Sequence, residues 1–191
     1  TKSNLRTMDK REEGMERKED RREKFENKLK DKRENLKKDL EKISDEYKKK
    51  IVEQNDKRLE NINQRITDQF NRKLEKISTH LGKIKARIEK LKIENPDRDF
   101  VAINQKIVKA EEMISNTKKL VEAQANKIYT VKIESEGKLK QNVRIVNKGL
   151  HNDLNKIRES IKEIHAVFVS ILSSLGEVKK DGKESVVTPT Q

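Results

Sequence analysis

The residues best suited to metal or acid–base chemistry are three histidines, His80, His151 and His165; cysteine is absent. Their spacing forms no HExxH run and gathers no histidine–carboxylate set on one helical face. Carboxylates make up 34 of the 191 residues, so acidic pairs recur on any helix by chance and mark solvated faces. Neither a glycine-rich phosphate loop nor a nucleophile elbow occurs. No catalytic, cofactor or metal site is expected, and the chain is not expected to be an enzyme. What remains is charge. KLKQNVRIVNK places Lys138, Lys140, Arg144 and Lys148 close together, and a second basic patch runs from Lys83 to Lys92.

The net charge of +13 favours an anionic partner, such as nucleic acid, an acidic membrane or an anionic surface polymer. Nucleic acid also calls for aromatic side chains on which bases stack. Here all six aromatics (Phe25, Tyr47, Phe70, Phe100, Tyr129 and Phe168) fall on or beside apolar stripes, which counts against it. IKEIHAVFVSILSSL is apolar enough to lie on a bilayer, but its basic rim is thin, and as the core of a bundle it needs no further explanation. No stretch approaches the roughly 18 apolar residues of a membrane span.

The elements that position these groups must be long helices. Only 31% of residues are hydrophobic against 42% charged, too little for a deep globular core but enough for helices that each bury one narrow stripe. The first stripe reads Leu36, Leu40, Ile43, Tyr47, Ile51, Asn55, Leu59, Ile62, Ile66, Phe70, Leu74, Ile77, Leu81, Ile84, Ile88 and Leu91, in steps of three and four. Asn55 stands where an apolar group belongs: either it sets the register, as single polar residues do in coiled-coil seams, or it is simply wet where the helix leaves the bundle. At KIENPDRDF the stripe stops, since Pro96 cannot continue a helix and Asn95 or Asp99 can cap a new one. The second stripe runs from Phe100 through Ile107, Ile114, Thr117, Val121 and then Gln124 or Ala125 to Ile128. Tyr129 to Gly137, rich in β-branched residues, reads as a turn, extended in part. The third stripe runs from Leu139 through Leu154 and Phe168 to Leu175.

The expected architecture is all-α: an elongated antiparallel three-helix coiled-coil bundle over 51–178, with helices at about 51–94, 97–130 and 137–176. A charged helix over 1–50 projects from it, its N-terminal end open to fraying, and 179–191 form a flexible tail. Acid-to-base pairs such as Glu13–Arg17, Asp20–Lys24, Glu26–Lys30 and Glu34–Lys38 support that projecting helix by about 0.2–0.5 kcal/mol each, while Gly14 weakens it. Met8, Met15, Phe25, Leu29 and Leu36 leave it a thin stripe. With no partner inside the chain, Phe25, Leu29, Leu36, Leu40 and Ile43 are the expected self-association face, giving a homo-oligomer or a filament.

Two runs, KKKIVEQNDKRLENINQRITDQFNRKLEKI (Lys48 to Ile77) and KKLVEAQANKIYTV (Lys118 to Val131), resemble a family of uncharacterised exported coiled-coil proteins of candidate-phyla-radiation (Patescibacteria) bacteria. The likeness lies in the run from Asn63 to Phe70 and in that from Glu122 to Tyr129. It implies a coiled coil outside the cytoplasm, secreted or at the cell surface, and implies no activity. An opening Thr1 is consistent with a removed signal peptide or with a fragment. The functional expectation is a structural or adhesive self-associating component, with binding of nucleic acid or another anionic polymer as the alternative.

Overall fold

In the computed structural model, residues 2–97 and 99–181 are described, with side chains at 19, 20, 23–97 and 99–175. Four long helices follow one another: α1 (Lys2–Leu40), α2 (Glu46–Glu94), α3 (Val101–Ala125) and α4 (Leu139–Asp181), the last preceded by a 3₁₀ turn at Glu136–Lys138. No strand occurs among the described residues. The chain forms two compact units. The first gathers residues up to Asn61 together with Asn126–Leu150; the second gathers Ile62–Ala125 and the residues from His151 on.

The expected continuous helix from the N-terminus to Leu91 is broken. α1 ends in a tightened turn in which the N–H groups of Glu41, Lys42 and Ile43 donate to the carbonyls of Lys38, Asp39 and Leu40 at 3.3, 3.1 and 3.0 Å. Asp45 then restarts the helix. Its Oδ1 accepts the N–H groups of Tyr47 at 2.9 Å and Lys48 at 3.2 Å, two of the free donors that open α2. Glu136 holds this corner from outside: its carboxylate accepts from Lys48 Nζ at 2.6 Å and from the Ser44 N–H at 3.4 Å. The Lys48 hydrogen bond, then that of Ser44, lowers the pKa of Glu136, and the same bond raises that of Lys48.

The C-terminal part of α1 thus does not project. An ion pair between Arg33 and Glu60, 27 residues apart, shows that α1 folds back along α2. The physical reason lies in the first unit, which contains no part of α3. Val52 on α2 and Leu139 on α4 need an apolar cover, and Leu36, Leu40 and Ile43 supply it, together with Val131 and Ile133 from the connection before the 3₁₀ turn. Val143 and Val146 pack against the same cluster. Full burial of an aliphatic side chain contributes about 1.5–3 kcal/mol, more than the scattered surface pairs of α1 offer it as an isolated helix. Leu36, Leu40 and Ile43 are therefore core residues at 5%, 5% and 1% exposure, not a free self-association face.

In the second unit, Lys85 pairs with Glu111 at 2.7 Å and Asn63 with Gln124, so α3 runs antiparallel to α2. His80 meets Phe168 with ring centroids 6.4 Å apart, which places α4 beside α2 there. Pro96 lies between α2 and α3, in the expected place. Asp99 opens α3, its Oδ1 accepting the Val101 N–H at 2.7 Å, while Asn95 closes α2, its N–H donating to the Leu91 carbonyl at 2.9 Å. α3 is shorter than the expected 97–130, because the β-branched run after Lys127 leaves the helix and buries Val131 and Ile133. α4 continues through Asp181, so 179–181 are helical; the remainder of the expected tail lies outside the described residues, as do the side chains of Met8, Met15 and the Glu13–Arg17 pair.

Candidate interaction surface

Much of the first apolar stripe is buried as expected, but its buried centre is polar. Val52, Asp56, Leu59, Asn63, Thr67, Phe70 and Leu74 are buried in steps of three and four, whereas Tyr47 and Ile51 are 73% and 42% exposed. Counting apolar residues alone missed Asp56, Asn63 and Thr67. The same spacing would have found them had polar side chains been admitted to the stripe.

Each buried polar group is handled differently. Asn63 Nδ2 donates to the main-chain carbonyl of Gln124 at 2.9 Å, and Gln124 Nε2 returns a bond to Asn63 Oδ1 at 2.8 Å. That carbonyl is among the last of α3, where helix geometry leaves acceptors without partners, so a side chain of α2 caps α3. Thr67 Oγ1 bonds back to the Asn63 carbonyl at 2.9 Å, which lets a hydroxyl sit at 1% exposure inside a helix. In the first unit, Asn55 is half-buried and its Oδ1 accepts from Asn147 Nδ2 at 3.0 Å; its own Nδ2 is buried without a partner. Asn55 therefore ties α2 to α4 in that unit.

Asp56 is 7% exposed and its Oδ1 has no hydrogen-bond partner. Burial raises its pKa, against the pull of Arg33 and with a smaller push from Glu60. Because the folded-state value lies above the unfolded value near 3.8, the proton stabilises the fold. That contribution is full below the unfolded value and is lost as pH rises through the folded one. Asp56→Asn, which keeps the shape and removes the charge, is expected to stabilise the protein by about 1–2 kcal/mol at neutral pH, with a smaller gain near pH 4. Urea denaturation of both proteins at the two pH values checks this; an equal gain at both would show that the charge is not the cause.

The four cations singled out in KLKQNVRIVNK divide. Lys138 pairs with Glu134 at 3.2 Å. Lys140, Arg144 and Lys148 are exposed and make no ion pair among the described residues. On α4 they stand four residues apart, so they line one face with a rise of about 6 Å between neighbours. No Asp or Glu occurs between Glu136 and Asp153. Some cations elsewhere are matched locally: Lys42 with Asp39, Lys49 with Glu46, Lys92 with Glu89 and Lys162 with Glu159.

Of the five expected self-association residues, Phe25 and Leu29 remain half-buried on α1, one turn apart. The exposed large apolar residues include Tyr47 and Ile51 on α2, and Val169 and Leu172 on α4. A groove of about 560 Å³ at the α1–α2 corner is lined by Lys37, Glu41, Lys49 and Glu53 among others; its charges alternate in sign and converge on no single ligand type. Among the described residues, no cluster of His, Asp or Glu could hold a metal ion, and no helix is long and apolar enough to cross a membrane.

The chain is thus an all-α protein of packed helices, without a membrane-spanning helix among its described residues. Comparison with protein-family models, characterised proteins and solved structures finds no match for it.

Proposed function

We propose that this protein works by contact and not by catalysis, as a structural or adhesive helical component that self-associates weakly. In this reading the second unit is an antiparallel three-helix coiled coil, and α1 with the starts of α2 and α4 braces the first. The resemblance noted in the sequence supports export and a place outside the cytoplasm.

One observation carries the reading. Tyr47 and Ile51 lie one turn apart on α2, at 73% and 42% exposure, while the neighbouring stripe is sealed. The contact face is accordingly moved from Leu36, Leu40 and Ile43, which the chain covers itself, to Tyr47 and Ile51. Two exposed apolar residues give weak contacts, which gain strength when repeated along an assembly.

Sedimentation across a concentration series tests this. Wild type is expected to gain mass as concentration rises towards the millimolar range, and Tyr47→Lys with Ile51→Lys is expected to stay monomeric with unchanged helicity. A wild-type protein that remains monomeric throughout would overturn self-association.

A further inference from the structure

We infer that the Lys140, Arg144 and Lys148 face of α4 is a docking surface for an acidic polysaccharide, a linear polymer bearing carboxylate or sulfate groups. This goes beyond self-association and stands whether the chain acts alone or assembled. The first argument is charge. These three cations are exposed and without ion pairs among the described residues, on a helical stretch that carries no acid from Gly137 to Asn152. Such a face presents one sign of charge to a partner, whereas a face of mixed sign cancels within a Debye length of about 8–10 Å.

The second argument is rigidity. The helix bearing the cations is anchored by Leu139 and Leu150, at 6% and 0% exposure, and by Asn147, which bonds both Asn55 Oδ1 and the Val143 carbonyl. Asn142 Nδ2 adds a bond to the Lys132 carbonyl at 2.8 Å. The three charges thus keep their spacing without a partner, and binding need not bear the cost of ordering a helix.

The third argument selects the polymer. A strand of nucleic acid is held by phosphate contacts together with aromatic faces for its bases. α4 carries no Phe, Tyr or Trp before Phe168. The exposed large neighbour on this stretch is Ile145, at 59%, an aliphatic side chain that offers no stacking plane. What the surface supplies is a row of point charges and one guanidinium fork, which suits carboxylates and sulfates strung along a sugar chain.

The test measures binding of the full chain to heparin, as the sulfated probe, and to a single-stranded oligonucleotide of matched charge. Heparin is expected to bind, with affinity falling on the order of tenfold between roughly 50 and 200 mM salt, as for the release of a few counterions. Lys140→Ala, Arg144→Ala and Lys148→Ala combined are expected to remove most of that binding at unchanged circular dichroism. A control triple at paired cations, Lys42→Ala, Lys92→Ala and Lys162→Ala, removes the same charge and is expected to bind nearly as wild type does. Equal losses in the two triples would show that net charge, not this face, does the binding. Tighter binding of the oligonucleotide would overturn the choice of polysaccharide, and absence of heparin binding at low salt would overturn the proposal outright.

Discussion

Ile43→Asp is expected to unfold the first unit, at a cost of about 3–5 kcal/mol, while Ile51→Asp is expected to cost less than about 1 kcal/mol. Both isoleucines stand on the same run of threes and fours, and by periodicity alone they are equivalent. The structure separates them: Ile43 is 1% exposed within the cluster of Leu36, Leu40, Val52, Val131, Ile133 and Leu139, and Ile51 is 42% exposed. A carboxylate at position 43 meets aliphatic side chains and has to be desolvated, protonated or expelled with α1. At position 51 it stays in water. Thermal melts of the two variants check the pair. Equal destabilisation would mean that the stripe runs unbroken through residues 43–51 and that the corner at Asp45 is misplaced. The same packing governs truncation. A chain lacking residues 1–45 loses the cover over Val52 and Leu139, so it is expected to be less stable than the full chain.

Asn63→Leu is expected to cost about 2–4 kcal/mol and Gln124→Met only about 1 kcal/mol, although the two side chains share a hydrogen bond. Both replacements nearly conserve volume. Gln124→Met removes the bond from Nε2 to Asn63 Oδ1 and leaves Asn63 Nδ2 on the main-chain carbonyl of residue 124. Asn63→Leu takes away both, including the side-chain cap on a carbonyl at the buried end of α3, where no further helical turn can donate. Chemical denaturation of the single variants and the double variant reads the asymmetry. Matched costs would show that the side-chain pair, and not the capping of α3, is what Asn63 contributes.

These positions show where the sequence could be read and where it could not. The stripes of α3 and α4 were legible because their buried positions are mostly apolar and Pro96 punctuates the first turn: Ile103, Ile107, Ile114 and Val121, then Leu150, Leu154, Ile157 and Ile164, are buried as their spacing predicts. The break after Leu40 was not, because Leu40, Ile43, Tyr47 and Ile51 keep helical spacing straight across a loop. The signal for it was local and polar: Ser44–Asp45–Glu46 is a helix start, with a capping Asp and an acid in the first turn. The partner of α1 was hidden for a different reason. Val131 and Ile133 lie in a segment without helical periodicity, so the helical pattern did not mark them as core. At the basic face, the i, i+4, i+8 spacing of Lys140, Arg144 and Lys148 was visible, whereas the pairing of Lys138 with Glu134 depends on the turn that joins them.

In the first unit, which faces are exposed and which are covered depends on α1 folding back along α2. The distance between residues 33 and 60 tests that most directly. The chain has no native cysteine, so cysteines introduced at Arg33 and Glu60 take spin labels at those two positions alone. The ion pair they replace is partly exposed, and its loss is expected to cost under about 1 kcal/mol. Packed neighbouring helices lie 8–10 Å apart axis to axis, so the labels are expected within about 20 Å of each other by double electron–electron resonance. One continuous helix would hold them about 40 Å apart at 1.5 Å per residue, and a distribution centred there would contradict the fold-back.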